Sequence, residues 1–245
     1  MRTQLAGGLI RSAVVNCNRK TGCGRFFEVG NIHIDNRDLP EERKHIGIIH
    51  FGAEESFFTL KATVEELLQR MGLQNIRFEK GGSPYLHPTQ KAFIKADGQL
   101  IGDMGTLHPA VGRAFELPCD CYIAELDFGE IVKRIVRVKK YKPLPKYPVV
   151  ARDIALIVDN SIEAQQVIDA IQAAKARVLI DDVKLFDVYR PLVAGDKGIP
   201  EGKKSMAFSY TLHSDDRTLT DEDITQAFNA ILKSVKFRVD GDLRT

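Results

Sequence analysis

From Ser205 to Leu212 the chain alternates between large and small side chains. Met206, Phe208, Tyr210 and Leu212 fall on one parity; Ser205, Ala207, Ser209 and Thr211 fall on the other. A period of two predicts a strand with one face buried. Arg152 to Asp159 is apolar and β-branched and reads as another strand, and Val183 to Tyr189 as a third. Between these last two, Ser161 to Ala174 carries Ile162, Val167, Ile168 and Ile171 near helical spacing, with Ser161 as the expected N-cap. After the alternating strand, Thr220 is placed to cap a second helix. Asp221, Glu222 and Asp223 suit the positive end of its dipole, and Ile224, Phe228, Ile231 and Leu232 form its apolar stripe. A short last strand is expected over Val239 to Leu243.

The resulting order, β-α-β-β-α-β, is that of the ferredoxin-like split βαβ. Both helices then cover one face of the sheet, and the other face is open, an arrangement suited to stacking bases. Ile154, Leu156 and Val158 point to the helices, so Ala155 points out with Ser205, Ala207, Ser209 and Thr211. These small residues leave room for a flat ligand. In the strand ending at Tyr189 either parity fits. With Asp187 and Tyr189 outward, a ring that can stack stands beside a carboxylate that can accept from a guanine edge. The competing register puts Phe186 outward and buries Tyr189. Arg190, Lys203 and Lys204, beside a loop that also holds Lys197, are candidates for holding an RNA backbone.

From Ile131 to Arg152 there is no acidic residue, while Lys139, Lys140, Lys142 and three prolines fall there. Proline with unbalanced charge predicts an extended connector, and its lysines could follow a phosphate backbone. The expected domains are 1–131, a linker over 132–148, and 149–245. Composition changes this picture little. The 245 residues are 44% hydrophobic and 28% charged with a net charge of +2, too small to announce a nucleic-acid binder by itself. No apolar run reaches membrane-spanning length and the first residues lack a signal-peptide core, so the expected location is the cytoplasm. The four cysteines, Cys17, Cys23, Cys119 and Cys121, are spaced unlike common zinc sites and read as reduced structural thiols. No metal is expected. The repeated tripeptides Leu86-His87-Pro88 and Leu107-His108-Pro109 read as bends at strand ends.

The segments "KYPVVARDIALIVD", "VKLFDVYR" and "GIPEGKKSMAFSYTLHSDDRTLTDEDI" resemble the C-terminal anticodon-binding domain of bacterial phenylalanyl-tRNA synthetase β chains, which typically end in Leu-Arg, as Leu243-Arg244 does here. Upstream, "MRTQLAGGLIRSAVVNCNRK", "RFFEVGNIHI", "LPEERKHIGIIHFG", "FFTLKATVEELLQRMGL", "IGDMGTLHPAV" and "YIAELDF" resemble the catalytic-like domain of the same chains. The resemblance runs through nearly the whole sequence with its motifs in family order. It implies an α+β fold: a partial class II synthetase-like antiparallel sheet domain, then the ferredoxin-like domain.

In that family the α chain holds the working site, with ATP and magnesium, and this β-chain domain is a degenerate copy. The resemblance therefore implies no catalytic residue and no cofactor in this chain, phenylalanine tRNA and the α subunit of an α2β2 heterotetramer as partners, and neither DNA nor a membrane. With that family's partner, the open-face residues Ala155, Asp187, Tyr189, Ser205 and Ser209, read above from strand parity, become the candidate anticodon contacts. After Arg25 the strand "RFFEVGNIHI" offers only Glu28 as a charged group, and Thr89 stands where the family more usually has Gly-Arg after His-Pro. Family β chains are also much longer. Met1 falls at a normally interior position, which predicts an unpaired edge in the first sheet. Two other readings are a stand-alone RNA-binding module with no ligase partner, and an enzyme with a site around His87, His108 and Glu125.

Overall fold

A computed structural model describes residues 1–36, 39–136, 146–191 and 198–244. Lys139, Lys140, Lys142 and Lys197 lie outside them. The chain divides into two compact units, Met1–Lys140 and Tyr141–Thr245.

The first unit runs α1 (Ala6–Asn18), β1 (Cys23–Ile34), β2 (Glu41–Gly52), α2 (Phe57–Arg70), β3 (Ile76–Lys80), β4 (Leu86–Ala96), β5 (Gln99–Leu107), α3 (Pro109–Ala114), β6 (Cys121–Asp127) and α4 (Phe128–Val132). Its strands form one six-stranded antiparallel sheet in the order β1-β2-β6-β5-β4-β3. Alternation along β2 and β6 divides the core. Ile46, Ile48, Ala124 and Leu126 pack with Leu60, Val64 and Leu68 of α2. Ile49, Phe51 and Ile123 pack on the other face with Leu9, Ile10 and Ala13 of α1. Ser56 starts α2 by accepting from the Thr59 amide while the Thr59 hydroxyl accepts from the Ser56 amide. Leu86 and Leu107 face one another across β4 and β5, so the two Leu-His-Pro tripeptides do mark strand ends. His108 caps α3 through Nδ1, 3.1 Å from the Ala110 amide, with Pro109 in the first helical position.

The second unit runs β7 (Val150–Asp159), α5 (Ala164–Gln172), β8 (Leu179–Tyr189), β9 (Lys203–His213), α6 (Asp221–Val239) and β10 (Asp242–Leu243). This is the β-α-β-β-α-β order, in a four-stranded antiparallel sheet arranged β10-β7-β9-β8. Ile154, Leu156, Val158, Met206, Phe208, Tyr210 and Leu212 pack with Val167 and Ile171 of α5 and Ile231 and Val235 of α6. Thr220 caps α6 as expected: its hydroxyl accepts from the Asp223 amide, and its own amide donates to the Asp223 carboxylate.

Two local expectations are corrected. Ser161 does not cap α5. Its amide and hydroxyl donate to Asp159 Oδ1 at 2.8 and 2.6 Å, closing a turn, and the helix starts after Glu163, whose amide donates to Gln166. Val239 belongs to α6, because the buried series Ile231, Val235 and Val239 carries the four-residue repeat onward. Asp240 then ends the helix in the left-handed region at φ 47°.

Candidate RNA-binding face

Paired residues of an antiparallel sheet share a face, so register decides what the uncovered side of the second sheet displays. Ala155 pairs with Ala207, and Ile157 with Ser205. On β8, Leu185 pairs with Phe208 and faces the core. Strict alternation would then turn Asp187 and Tyr189 inward with Leu185. Instead the register shifts between Leu185 and Asp187, so that Asp187 pairs with Ala207 and Tyr189 with Ser205. A bulge at Phe186 thus sets the faces. Leu185 stays in the core, Asp187 and Tyr189 share the open face with Ala155, and Phe186 is left 60% exposed at the bulge.

Two adjacent rows result. One runs Asp187, Ala207, Ala155. The next runs Tyr189, Ser205, Ile157, Asp242. Ser209, paired with Asp153 and with Lys184, lies one row away on the other side of Asp187. The chain end adds a residue that strand-by-strand reading did not single out. The Arg244 amide donates to the Ala155 carbonyl at 2.9 Å, which extends β10 by one step. Its Nη1 donates to Ser205 Oγ at 3.3 Å, and its guanidinium carbon lies 5.9 Å from the Tyr189 ring centroid. Parity contains the signal: Leu243 pairs with core-facing Leu156, which puts Asp242 and Arg244 on the open side. The site is a floor of small residues, an aromatic ring and a guanidinium plane held together, and an exposed carboxylate one row away.

The basic candidates separate. Lys203 stands on the open-face parity at the end of β9, with Nζ 3.9 Å from Asp242. Arg190 is exposed just past β8. Lys204 is placed differently from the expectation. It pairs with core-facing Val158, is 4% exposed, and donates from Nζ to the Asn160 carbonyl at 3.0 Å. Burial, with the charge of Arg190 nearby, holds its ammonium below the usual lysine range. Asp153, Asp187 and Asp242 share the face with Lys184, Lys203 and Arg244. Such mixed charge suits reading base edges better than gripping phosphates.

The first unit holds a hollow of about 610 Å³ lined by Arg43, His45, Ser83, Tyr85, Asp103 and Glu125 among others. Glu125 and Asp103 are paired across β5 and β6 and are largely buried. Glu125 accepts from the Leu5 and Ala6 amides at 3.0 and 3.2 Å and from His45 at 2.9 Å. Ser83 donates to Asp103 through its amide and its hydroxyl. Burial nevertheless raises the Asp103 carboxyl above the usual carboxylate range. Asp127 and Glu130 also line the hollow. Its guanidinium, Arg43, makes two hydrogen bonds to Glu41 at 2.8 and 3.0 Å. The enzyme site around His87, His108 and Glu125 is not assembled: the two histidines line a different hollow, beside Cys119.

Two family models match. The first, described as the phenylalanyl tRNA synthetase beta chain CLM domain, covers residues 1–128. The second, the ferredoxin-fold anticodon binding domain, covers residues 145–244. The chain belongs to the phenylalanyl-tRNA synthetase β-chain family. Among its relatives, the phenylalanine–tRNA ligase beta subunit of Clostridium acetobutylicum is 32% identical over 248 residues, taking in 100% of this chain and 30% of that protein. The beta subunit of Bacillus licheniformis is 34% identical over 258 residues, with 100% and 31% covered. That of Carboxydothermus hydrogenoformans is 35% identical over 257 residues, with 100% and 32% covered. The chain therefore spans about a third of the length of these relatives. Within the family, the α+β architecture is the antiparallel sheet domain followed by the ferredoxin fold, and none of the helices described is long and apolar enough to cross a membrane.

Proposed function

We propose that this chain serves in the β subunit of a phenylalanine–tRNA ligase. Its second unit binds the anticodon of phenylalanine tRNA on the open sheet face. Its first unit supports a catalytic α subunit, within an α2β2 assembly in the cytoplasm, which charges the tRNA using ATP and magnesium. The observation that carries the reading is the row arrangement on the open face. Tyr189 and Arg244 offer flat surfaces beside the small floor of Ala155 and Ala207, and Asp187 stands next to them as an acceptor. Phenylalanine anticodons begin with guanine, whose N1–H and N2–H2 donors complement a carboxylate. Ser205 and Ser209 border this site, and Lys203 and Arg190 are the residues that would hold the backbone.

The first unit fits a supporting role because its hollow carries Asp103, Glu125, Asp127 and Glu130, while Arg43 is engaged by Glu41. A triphosphate entering it would meet net negative charge, opposite to what phosphoryl chemistry needs. The test combines two assays on the purified chain. Filter binding should show preference for phenylalanine tRNA over a tRNA with an unrelated anticodon. Phenylalanine-dependent pyrophosphate exchange with ATP and magnesium should stay at blank. Equal binding of both tRNAs would overturn the anticodon reading, and clear exchange would overturn the supporting one.

A further inference from the structure

The cysteines that are neighbours in sequence are not the ones that meet. Cys17, in the last turn of α1, and Cys119, in the segment leading into β6, lie 102 positions apart with their sulfurs 2.9 Å from one another. Both are half-buried against the core that α1 makes with the sheet, whereas Cys23 is exposed and Cys121 buried. Cys119 also lines an open hollow of about 710 Å³ with His87, His108 and Asp120, which gives a small oxidant a route to it. A disulfide bond is about 2.05 Å long, so the two sulfurs need to approach by less than about 1 Å.

We propose that Cys17 and Cys119 form a peroxide-driven, reversible disulfide modification site. In the first step the Cys119 sulfur, as thiolate, attacks one oxygen of hydrogen peroxide. The O–O bond breaks, Cys119 becomes a sulfenic acid, and the departing hydroxide takes up a proton to leave as water. In the second step the Cys17 sulfur attacks the Cys119 sulfur, the S–O bond breaks, and a second water leaves with the Cys17 proton. Two thiols and one peroxide yield one disulfide and two waters, with two electrons passing from sulfur to oxygen. Burial and the neighbouring Cys17 sulfur push the Cys119 thiol up to about 12. Cys119 therefore rests as the protonated thiol at neutral pH, and the reaction quickens toward alkaline pH as its thiolate forms.

The bond would complete an existing attachment. The residue before α1 makes no side-chain cap of its own. The helix start is held instead by Glu125 of β6, which accepts from the Leu5 and Ala6 amides. Cys119 lies just before the opposite end of β6. Oxidation would thus fasten α1 to both ends of that strand and close a long loop in the unfolded chain.

The test treats the full, reduced chain with hydrogen peroxide, blocks remaining thiols with N-ethylmaleimide, and maps peptides without reduction. The expected product has lost two hydrogens, carries a bridge between the Cys17 and Cys119 segments, and reverts with dithiothreitol. Its first unit should melt higher by roughly 10 °C. Cys17→Ser and Cys119→Ser should each abolish the bridge, while Cys23→Ser and Cys121→Ala should keep it. A main product bridged through Cys23 or Cys121, or separate oxidation of each sulfur with added oxygens and no bridge, would overturn the proposal.

Discussion

The Arg244 guanidinium lies 5.9 Å from the centre of the Tyr189 ring and donates to Ser205 Oγ, so the end of the chain is locked onto the face of the sheet opposite its helices. A cation held over a ring gains about 0.5–2 kcal/mol depending on solvation, and it fixes two flat surfaces before any base arrives. Tyr189→Ala should weaken binding of the anticodon stem-loop by about 1–3 kcal/mol, the usual worth of a stacked base. Arg244→Ala should weaken it by about 1 kcal/mol. The double variant should lose less than the sum, because each residue orients the other. Affinities for the two single variants and the double variant check this, and strict additivity would show that the two act separately.

The lysines of β9 should behave oppositely, although they are adjacent. Lys203→Ala should lower affinity and reduce the log–log salt slope by about one. Lys204→Met should leave the slope unchanged, since its ammonium is spent on the Asn160 carbonyl. Neutralising Lys139, Lys140 and Lys142 together should weaken binding to every anticodon sequence alike, with the slope falling by about one unit for each phosphate no longer neutralised. Salt titrations of the variants measure all three, and a reduced slope for Lys204→Met would contradict its buried placement.

Asp223 makes the start of α6 sensitive to acid. Hydrogen bonds from the Thr220 amide and hydroxyl, then the Arg217 guanidinium, hold its carboxyl below the usual carboxylate range. With the folded value depressed, the unfolded chain takes up the proton first. The stabilisation is complete above the unfolded value of about 3.9 and is lost as pH falls through the lower folded one. Asp223→Asn should therefore lower the urea midpoint of the second unit at pH 7, and the gap from the parent should close as pH approaches about 2. Thr220→Ala should cost about 1 kcal/mol at pH 7. A gap for Asp223→Asn that persists unchanged at low pH would point to packing rather than charge.

Much of the second unit is legible in the sequence because β9 alternates without interruption and both helices carry clear stripes. What the pattern hides has physical causes. A period of two cannot register the extra residue at Phe186, nor the shift near Asp182, which sits at φ 51°. With Leu185 inward, simple alternation would have buried the two residues that the open face displays. The parity of Met206 and Phe208 also assigns Lys204 to the helix side, yet its place beside a basic loop suggests a surface role. Arg244 escapes notice because a two-residue strand has no periodicity to read. In the first unit, only contact across the fold joins Cys17 to Cys119 and Glu125 to the start of α1. Residues so far apart in sequence give no local signal of meeting.

The role of Asp187 is the sharpest test, because a carboxylate that reads guanine does something a surface aspartate does not. A good base-edge contact supplies about 1–3 kcal/mol of discrimination. The decisive measurement is the affinity of the parent chain and of Asp187→Ala for two anticodon stem-loops that differ only in guanine or adenine at the first anticodon position. The parent should prefer guanine by roughly 5- to 150-fold, and the variant should bind both nearly alike with an unchanged melting temperature. A variant that keeps the full guanine preference would contradict the assignment of the open face as the anticodon reader.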